Sequence, residues 1–336
     1  MAVFTEVSRD EASAFVDRLS VGRLTGLRGI QAGIENSNFF VDTLDDKGTT
    51  RHWVLTLFER LSSLQLPFYL ELMRHLAQRG IPVPMPQADD GGSLLHTLKG
   101  KPAALVDRLP GGHQLAPDVD HCAQVGAMLA RMHAAGQDLP LQQPNLRGLA
   151  WWAETVPQVL PHVSPAQQAL LRGELAFQQQ LSLSPAYASL PRGPIHADLF
   201  RDNVVFDGSG SDQRLSGIFD FYFAGIDTFV FDLAVCLNDW CIDLASGAMQ
   251  DERAQAFVAA YAGVRPLTSN EHRLLPALLR AAAFRFWLSR LWDLHLPRDA
   301  ALLKAHDPLH FERVLRARID QPWHPDPAAR GAETPT

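Results

Sequence analysis

Apolar residues recur with two different periods along this chain, and the change falls near residue 109. Before it, two-residue alternation marks strands over about 23–31, 37–44 and 52–58, broken at Gly33 and at Asp45-Asp46-Lys47-Gly48. Ser8 with Glu11 forms a capping box that opens a short helix to about Leu19. Pro67 to Gly80 reads as a second helix, with proline in its first turn and glycine just past its end. Ile81-Pro82-Val83-Pro84-Met85-Pro86 must be extended, because each proline disfavours helix in its predecessor. Strands over about 93–98 and 102–108 flank Lys99-Gly100-Lys101 and bring the strand count of this part to five.

Past Leu109-Pro110-Gly111-Gly112 the period turns helical. Cys122, Val125, Leu129 and Met132 share one face of a helix that Gly136 stops. Further helices are expected near 150–160, 165–181, 228–245, 251–262, 270–295 and 308–320. Strand signals in this half are confined to 204–206 and 215–219, directly after and before polar clusters. The pattern predicts an α+β protein: a β-rich N-lobe over 1–108, a hinge at 109–112 and a mainly helical C-lobe over 113–320. The Pro-rich polar tail, 321–336, is expected to be poorly ordered.

Length and composition agree with two lobes, since 336 residues exceed what one core usually supports. Hydrophobic residues at 46% and charged residues at 20% describe an ordinary globular chain. A formal net charge of −7 without a basic run argues against nucleic acid as a partner. The longest apolar region, 218–237, holds Asp220, Asp227 and Asp232, which argues against a membrane span. The N-terminus carries acids where a secretory leader needs a basic start, and Cys122, Cys236 and Cys241 form neither a disulfide framework nor a zinc pattern. A reduced, cytoplasmic setting is expected; oligomeric state is not legible.

Chemistry concentrates in Ile195-His196-Ala197-Asp198-Leu199-Phe200-Arg201-Asp202-Asn203-Val204-Val205-Phe206, a polar loop bracketed by apolar residues. His196-x-Asp198-x-x-x-x-Asn203 has the spacing of a protein-kinase catalytic loop, in which Asp orients the acceptor hydroxyl and Asn helps hold the metal on the phosphates. Leu215 to Phe219 then ends in Asp220, where a kinase places a second magnesium ligand, and a hairpin would bring Asp220 to Asn203.

These segments, with Ile218-Phe219-Asp220-Phe221 and Phe231-Asp232-Leu233-Ala234, resemble the aminoglycoside phosphotransferase and choline kinase superfamily. Gly33-Ile34-Glu35-Asn36-Ser37-Asn38-Phe39-Phe40-Val41, Val54 to Glu59, Arg147-Gly148-Leu149-Ala150-Trp151-Trp152 and Asn238-Asp239-Trp240-Cys241 are similar to its homoserine kinases. The resemblance spans about residues 23–320. It implies a protein-kinase-like two-lobe fold, with ATP and Mg2+ as cofactors. Asp198 would be the catalytic carboxylate, and Asn203 and Asp220 the metal ligands. Gly33, Asn36, Ser37 and Asn38 would lie over the phosphates, while His196 and Asp232 would support the catalytic loop from beneath.

The chain departs from the kinase pattern in one place. Where a kinase has its third-strand lysine, Trp53-Val54-Leu55-Thr56 ends in threonine, so Thr56 takes the nucleotide-side position. None of the four lysines fits that register. Either Arg51 or Arg60 supplies the charge, or backbone amides and metal do, and the helix carboxylate Glu71 loses its expected partner.

Acceptor choice has to come from the site. Between Val204 and Glu252 the acids are Asp207, Asp212, Asp220, Asp227, Asp232, Asp239, Asp243, Asp251 and Glu252, against one base, Arg214; such a floor suits a cationic group. Arg285 or Arg290 offers a bidentate grip on a carboxylate. Together with Asp202 or Asp239 and a wall from Trp240, either would hold a zwitterion with its hydroxyl beside Asp198. The expected reaction is phosphorylation of L-homoserine to O-phospho-L-homoserine, for threonine synthesis. A choline, ethanolamine or aminoglycoside kinase is the alternative, and a pseudokinase-like binding module is a further one.

Overall fold

The computed structural model describes residues 5–30, 36–296 and 307–326. Its contacts gather into two compact units. One comprises Met1–Gly111 with Ser216–Tyr222, and the other Gly112–Leu215 with Phe223–Thr336. The chain thus returns to the first unit for seven residues around Asp220, a detour that a linear division at 109–112 does not contain.

In the first unit, α1 (Arg9–Asp17) begins at the Ser8–Glu11 capping box that the sequence spells out. Strands β1 (Arg23–Gly29), β2 (Asn36–Leu44) and β3 (Thr50–Phe58) follow as an antiparallel meander. After α2 (Leu66–Gln78), β4 (His96–Leu98) and β5 (Lys101–Asp107) complete one sheet in the order β1-β2-β3-β5-β4. Alternation in β2 turns Ser37, Phe39, Val41 and Thr43 inward. There Phe39 and Val41 join Phe15 and Val16 of α1 with Trp53, Leu55, Leu57 and Leu105 in one apolar cluster. Fully burying each such side chain is worth about 1.5–3 kcal/mol, which fixes the register that the pattern predicts.

The second unit is mainly helical. It contains α3 (Val119–Gly136), α4 (Leu149–Val159), α5 (Pro165–Ser182) and the single turn α6 (Pro185–Ala188). Short strands β6 (Arg192–Ile195) and β7 (Val204–Asp207) bracket the catalytic-loop segment, and β8 (Arg214–Ile218) leads the chain out of the unit. After the return, β9 (Gly225–Thr228), α7 (Phe229–Trp240), α8 (Asp251–Val264), α9 (Ser269–His295) and α10 (Pro308–Asp320) complete it.

Strands β6 and β9, paired antiparallel from Arg192↔Thr228 to Ile195↔Gly225, are absent from the sequence expectation. Gly193, Pro194, Gly225 and Asp227 all argue against a strand by propensity. Tertiary packing overrides that preference. A Cβ on Gly193 would stand 2.5 Å from the Phe229 ring, so only glycine lets β6 lie this close to α7. Helix α7 stops at Trp240 rather than running to 245, because Asp243 Oδ1 accepts from both the amide and the hydroxyl of Ser246 and closes a turn there. The described start of the tail is anchored: Trp323 Nε1 donates to Asp251 and the Asp326 amide to Gln255. No described helix is long and apolar enough to cross a membrane.

Candidate active site

Every residue of α7 is buried, including Asp232, Asn238 and Asp239. Polar groups in such a helix must find partners, and two of them find the catalytic loop. Asp232 Oδ2 accepts the His196 amide and Oδ1 the Ala197 amide, each at 2.8 Å. Ala197 has φ +64°, a left-handed conformation that costs an ordinary residue about 1–2 kcal/mol, and the amide donated to Asp232 holds it there. The next residue is Asp198.

Asp232 has a third donor in the buried His133 of α3, whose Nε2 lies 3.0 Å away. His133 Nδ1 meets the Tyr261 hydroxyl at 2.7 Å. Burial drives the His133 pKa down, so the ring is neutral and gives its Nε2 proton to Asp232. Burial alone would raise the Asp232 pKa, but the hydrogen bonds from His133 and from the His196 backbone outweigh it and hold Asp232 ionised. His196 is fully buried, and its Nδ1 accepts the Asp198 amide at 3.3 Å.

Asn203 closes the loop. Its Nδ2 donates to the Asp198 carbonyl at 2.8 Å, which turns the amide oxygen the other way as a hard donor of the kind Mg2+ prefers. Asp220, counted with the first unit, has φ +67°, a strained backbone of the sort found at functional positions.

On the acceptor side, Arg285 of α9 places Nη1 3.7 Å from Asp198 Oδ1. Arg285 is 3% exposed, with its guanidinium 3.8 Å from the Phe286 ring centroid and 4.8 Å from that of Phe223. Phe286 stacks with Phe311 of α10 at 5.0 Å and meets Phe200 at 4.5 Å, so an aromatic platform runs from the catalytic loop to α10. Arg290 lies over Phe311 and donates to the Asp307 carbonyl; burial lowers its pKa, opposed by Asp239, Asp307, Asp198 and Asp202. No pattern singles out Phe200, Phe223, Phe286 and Phe311, whose apolar character suits any core equally well.

Three of the acceptor-side expectations fall on residues that have partners within the protein. Asp239 accepts from the Arg201 amide and Nε, which braces the loop. Trp240 is fully buried beneath the loop, with its indole N–H given to the Leu199 carbonyl. The acidic floor is largely committed as well: Asp227 accepts from Asn145 and Arg192, Asp243 from Ser246, and Asp251 from Trp323. Asp202 stays exposed, and Arg201 is paired with Asp239 and not with it.

Within the first unit, Gly33 lies outside the described residues. Asn36 opens β2 opposite Phe58, and the Thr56 hydroxyl donates to Asn38 Oδ1 at 2.8 Å. Ser37 is buried, its hydroxyl accepting the Thr5 amide and donating to Glu59. Lys101 makes an ion pair with Glu59 and donates to Thr5 Oγ1. Arg51 pairs with Asp45 at the exposed β2–β3 turn, and Glu71 pairs with Arg74 on its own helix.

A five-stranded antiparallel sheet and a helical unit carrying His-x-Asp-x-x-x-x-Asn on a braced loop define a kinase-like phosphotransferase. The model of the phosphotransferase enzyme family matches residues 26–267, and the chain belongs to that family. Homoserine kinase of Polaromonas naphthalenivorans is 63% identical over 96% of this chain and 99% of its own. Homoserine kinase of Cupriavidus taiwanensis is 57% identical over 98% of each. Among solved structures, an amicoumacin kinase with AMP-PNP and Ca2+ aligns at TM-score 0.66 and 18% identity, over 93% of this chain and 92% of that one. An ethanolamine kinase of Plasmodium vivax aligns at 0.59 and 13%, over 88% and 82%.

Proposed function

We propose that this protein transfers the γ-phosphoryl group of ATP to the hydroxyl of L-homoserine, yielding O-phospho-L-homoserine for threonine synthesis. It is an ATP-dependent phosphotransferase with an alcohol acceptor, as its homoserine kinase relatives are. Choline, ethanolamine and aminoglycoside kinases share its fold at 12–16% identity, too distant to favour their acceptors.

In this reading Asp198 orients the acceptor hydroxyl and takes its proton. His196 and Asp232 keep that carboxylate in place through the loop backbone. The Asn203 amide oxygen and the Asp220 carboxylate would hold Mg2+, two hard oxygens suited to that ion. When bound, the metal neutralises charge on the phosphates. Among the described residues no three His, Cys, Asp or Glu side chains form a metal-holding group, so amide and phosphate oxygens would complete its shell. Asn36, Asn38 and Thr56 are the nucleotide-side candidates that remain. Catalysis is then chiefly positioning and electrostatics.

The observation that carries the acceptor assignment is Arg285, a buried cation 3.7 Å from the catalytic carboxylate. A choline, ethanolamine or aminoglycoside site has no use for such a group, whereas an amino acid brings a carboxylate to it. Arg290 and the exposed Asp202 are the further acceptor-side candidates, for carboxylate and ammonium. Coupled ADP release with Mg2+ and ATP against L-homoserine, L-serine, choline, ethanolamine and kanamycin tests the reading. Turnover confined to homoserine, abolished in Asp198→Ala, is expected; preferential turnover of a carboxylate-free acceptor would overturn it.

A further inference from the structure

We infer that Tyr261 of α8 is a positioning residue for phosphoryl transfer, its hydroxyl holding His133 as the neutral donor on which Asp232 and the catalytic loop rely. The inference rests on the assignment of Asp198 made above.

Tyr261 stands in a chain of buried groups that runs from the start of α9 to the loop. Thr268 caps α9, and Glu271 completes the capping box, its Oε2 accepting the Thr268 amide at 2.8 Å. Glu271 Oε1 accepts from Arg265 Nη1 at 2.9 Å, and the same nitrogen donates to the Tyr261 hydroxyl at 3.2 Å. That hydroxyl meets His133 Nδ1 at 2.7 Å, and His133 Nε2 meets Asp232 Oδ2 at 3.0 Å. Glu271, Tyr261, His133 and Asp232 are all fully buried. Phe229 at the start of α7 keeps the members aligned: His133 stacks on its ring at 4.6 Å, and the Arg265 guanidinium lies 4.6 Å from the same ring.

Donor and acceptor chemistry gives every proton in this chain one direction. Arg265 only donates, and an ionised Asp232 only accepts. A neutral imidazole donates from one nitrogen and accepts at the other, so His133 Nε2 carries the proton and Nδ1 needs a donor. Tyr261 is that donor. Burial pushes its phenol up, so the hydroxyl keeps its proton, and Arg265 already donates to its oxygen. The charged groups facing His133 are Asp232 on α7, Arg265 after α8 and Glu271 on α9. Burial and Arg265 oppose a second proton on the ring, whereas Asp232 and Glu271 favour it. The Tyr261 proton occupies the one position, Nδ1, where a second proton would go. An imidazolium there would claim Asp232 Oδ2 as an ion-pair partner, in competition with the His196 amide that the same oxygen holds. The neighbouring amide, Ala197, binds the other oxygen and leads directly into Asp198. Tyr261 thus acts on the reaction through the placement of Asp198.

Tyr261→Phe removes the hydroxyl and keeps the ring. Its kcat with homoserine is expected to fall about tenfold at neutral pH, with KM for homoserine and for ATP unchanged. The ratio of variant to wild-type kcat should fall further from about pH 8 to about pH 6, as His133 takes its second proton. In a His133→Gln background, where nothing at that position ionises, Tyr261→Phe should leave the pH profile unaltered. Wild-type kcat in Tyr261→Phe, or a loss independent of pH, would overturn the inference while homoserine turnover left the acceptor assignment standing. Turnover surviving in Asp198→Ala would overturn both. If the wild type ignores homoserine, the acceptor assignment alone falls, and the same comparison is made on whichever acceptor it phosphorylates. Neutron diffraction from wild-type crystals decides the matter even if a variant fails to fold. Deuterium on His133 Nε2, and on the Tyr261 oxygen facing Nδ1, is expected; deuterium on Nδ1 would overturn the inference.

Discussion

Asp239 Oδ2 accepts both the backbone N–H of Arg201, at 2.8 Å, and its Nε–H, at 3.1 Å, so a single carboxylate at the end of α7 fixes the middle of the catalytic loop. The same guanidinium donates to the Asp239 carbonyl and, at 2.9 Å, to the Leu115 carbonyl. With Asp232 holding the amides of His196 and Ala197, one fully buried helix grips the loop on both sides of Asp198. Rigid placement of Asp198, the proposed catalytic carboxylate, thus comes from paired charges in the core.

Removing Asp239 should therefore damage stability before it touches substrate affinity. Both side chains are nearly buried, at 12% and 10% exposure, and an orphaned buried charge costs about 3–5 kcal/mol. Asp239→Ala is expected to lose about 3 kcal/mol in urea unfolding, with kcat reduced and KM for homoserine little changed. Replacing both partners by leucine should recover most of that loss. A large rise in KM with unaltered stability would return Asp239 to the acceptor site.

Acid should weaken the protein in two stages. His133 has its pKa lowered by burial from the ordinary 6.5, so below about pH 6.5 the unfolded chain binds a proton that the folded chain refuses. Stability thus falls as pH drops. His310, pushed down to about 4, and His295, also lowered, act in the same direction over the same range. Asp232, held below its ordinary 3.8, adds a second loss: its contribution is complete above 3.8 and disappears as pH falls through the depressed value. Thermal unfolding followed from pH 8 to 3 should show both limbs. His133→Gln should flatten the upper one while leaving His310 and His295 to supply the remainder.

Much of this was legible in the sequence because two signals are local. The capping box at Ser8 and the alternation in β2 name their own elements, and His196-x-Asp198-x-x-x-x-Asn203 names its chemistry. Non-local partners were not legible. Asp232 was placed beneath the loop by resemblance alone, and nothing in the spacing pointed to His133 and Tyr261 from other helices. Asp239 and Trp240 carry polar and aromatic groups that suit a ligand as well as a core, and only their partners, Arg201 and the Leu199 carbonyl, decide between the two. β6 and β9 failed for the opposite reason, since tertiary packing made strands of residues that disfavour them.

The missing strand lysine leads to a prediction about Lys101. Its ammonium pairs with Glu59, just beyond β3, while Glu59 accepts from Ser37 near the start of β2. Burial raises the Glu59 pKa, but Lys101 and Ser37 more than offset it, so the net shift is downward. This charge cluster ties the ends of three strands together beside the candidate nucleotide residues Asn36 and Asn38. Lys101 is 37% exposed, so Lys101→Ala should cost no more than about 1 kcal/mol of stability. KM for ATP should rise several-fold with homoserine KM unchanged. An unaltered ATP KM would show that the cluster serves the sheet alone.

Phe286 offers the finest test of the acceptor side, because it supports Arg285 without offering any polar group of its own. Its ring lies 3.8 Å from the Arg285 guanidinium carbon and stacks on Phe311. Phe286→Leu keeps an apolar side chain in the core but removes ring volume, and should cost about 1–3 kcal/mol of stability. It removes the π face, and with it a cation–π contact worth about 2 kcal/mol when desolvated. Arg285 then gains rotational freedom next to Asp198. Homoserine kcat/KM should drop about tenfold, carried by kcat and KM together, while KM for ATP stays constant. Phe286→Tyr, which restores the ring, should recover the rate. If leucine supports wild-type turnover, the guanidinium is held by its neighbours on α9 and the aromatic platform has no part in acceptor binding.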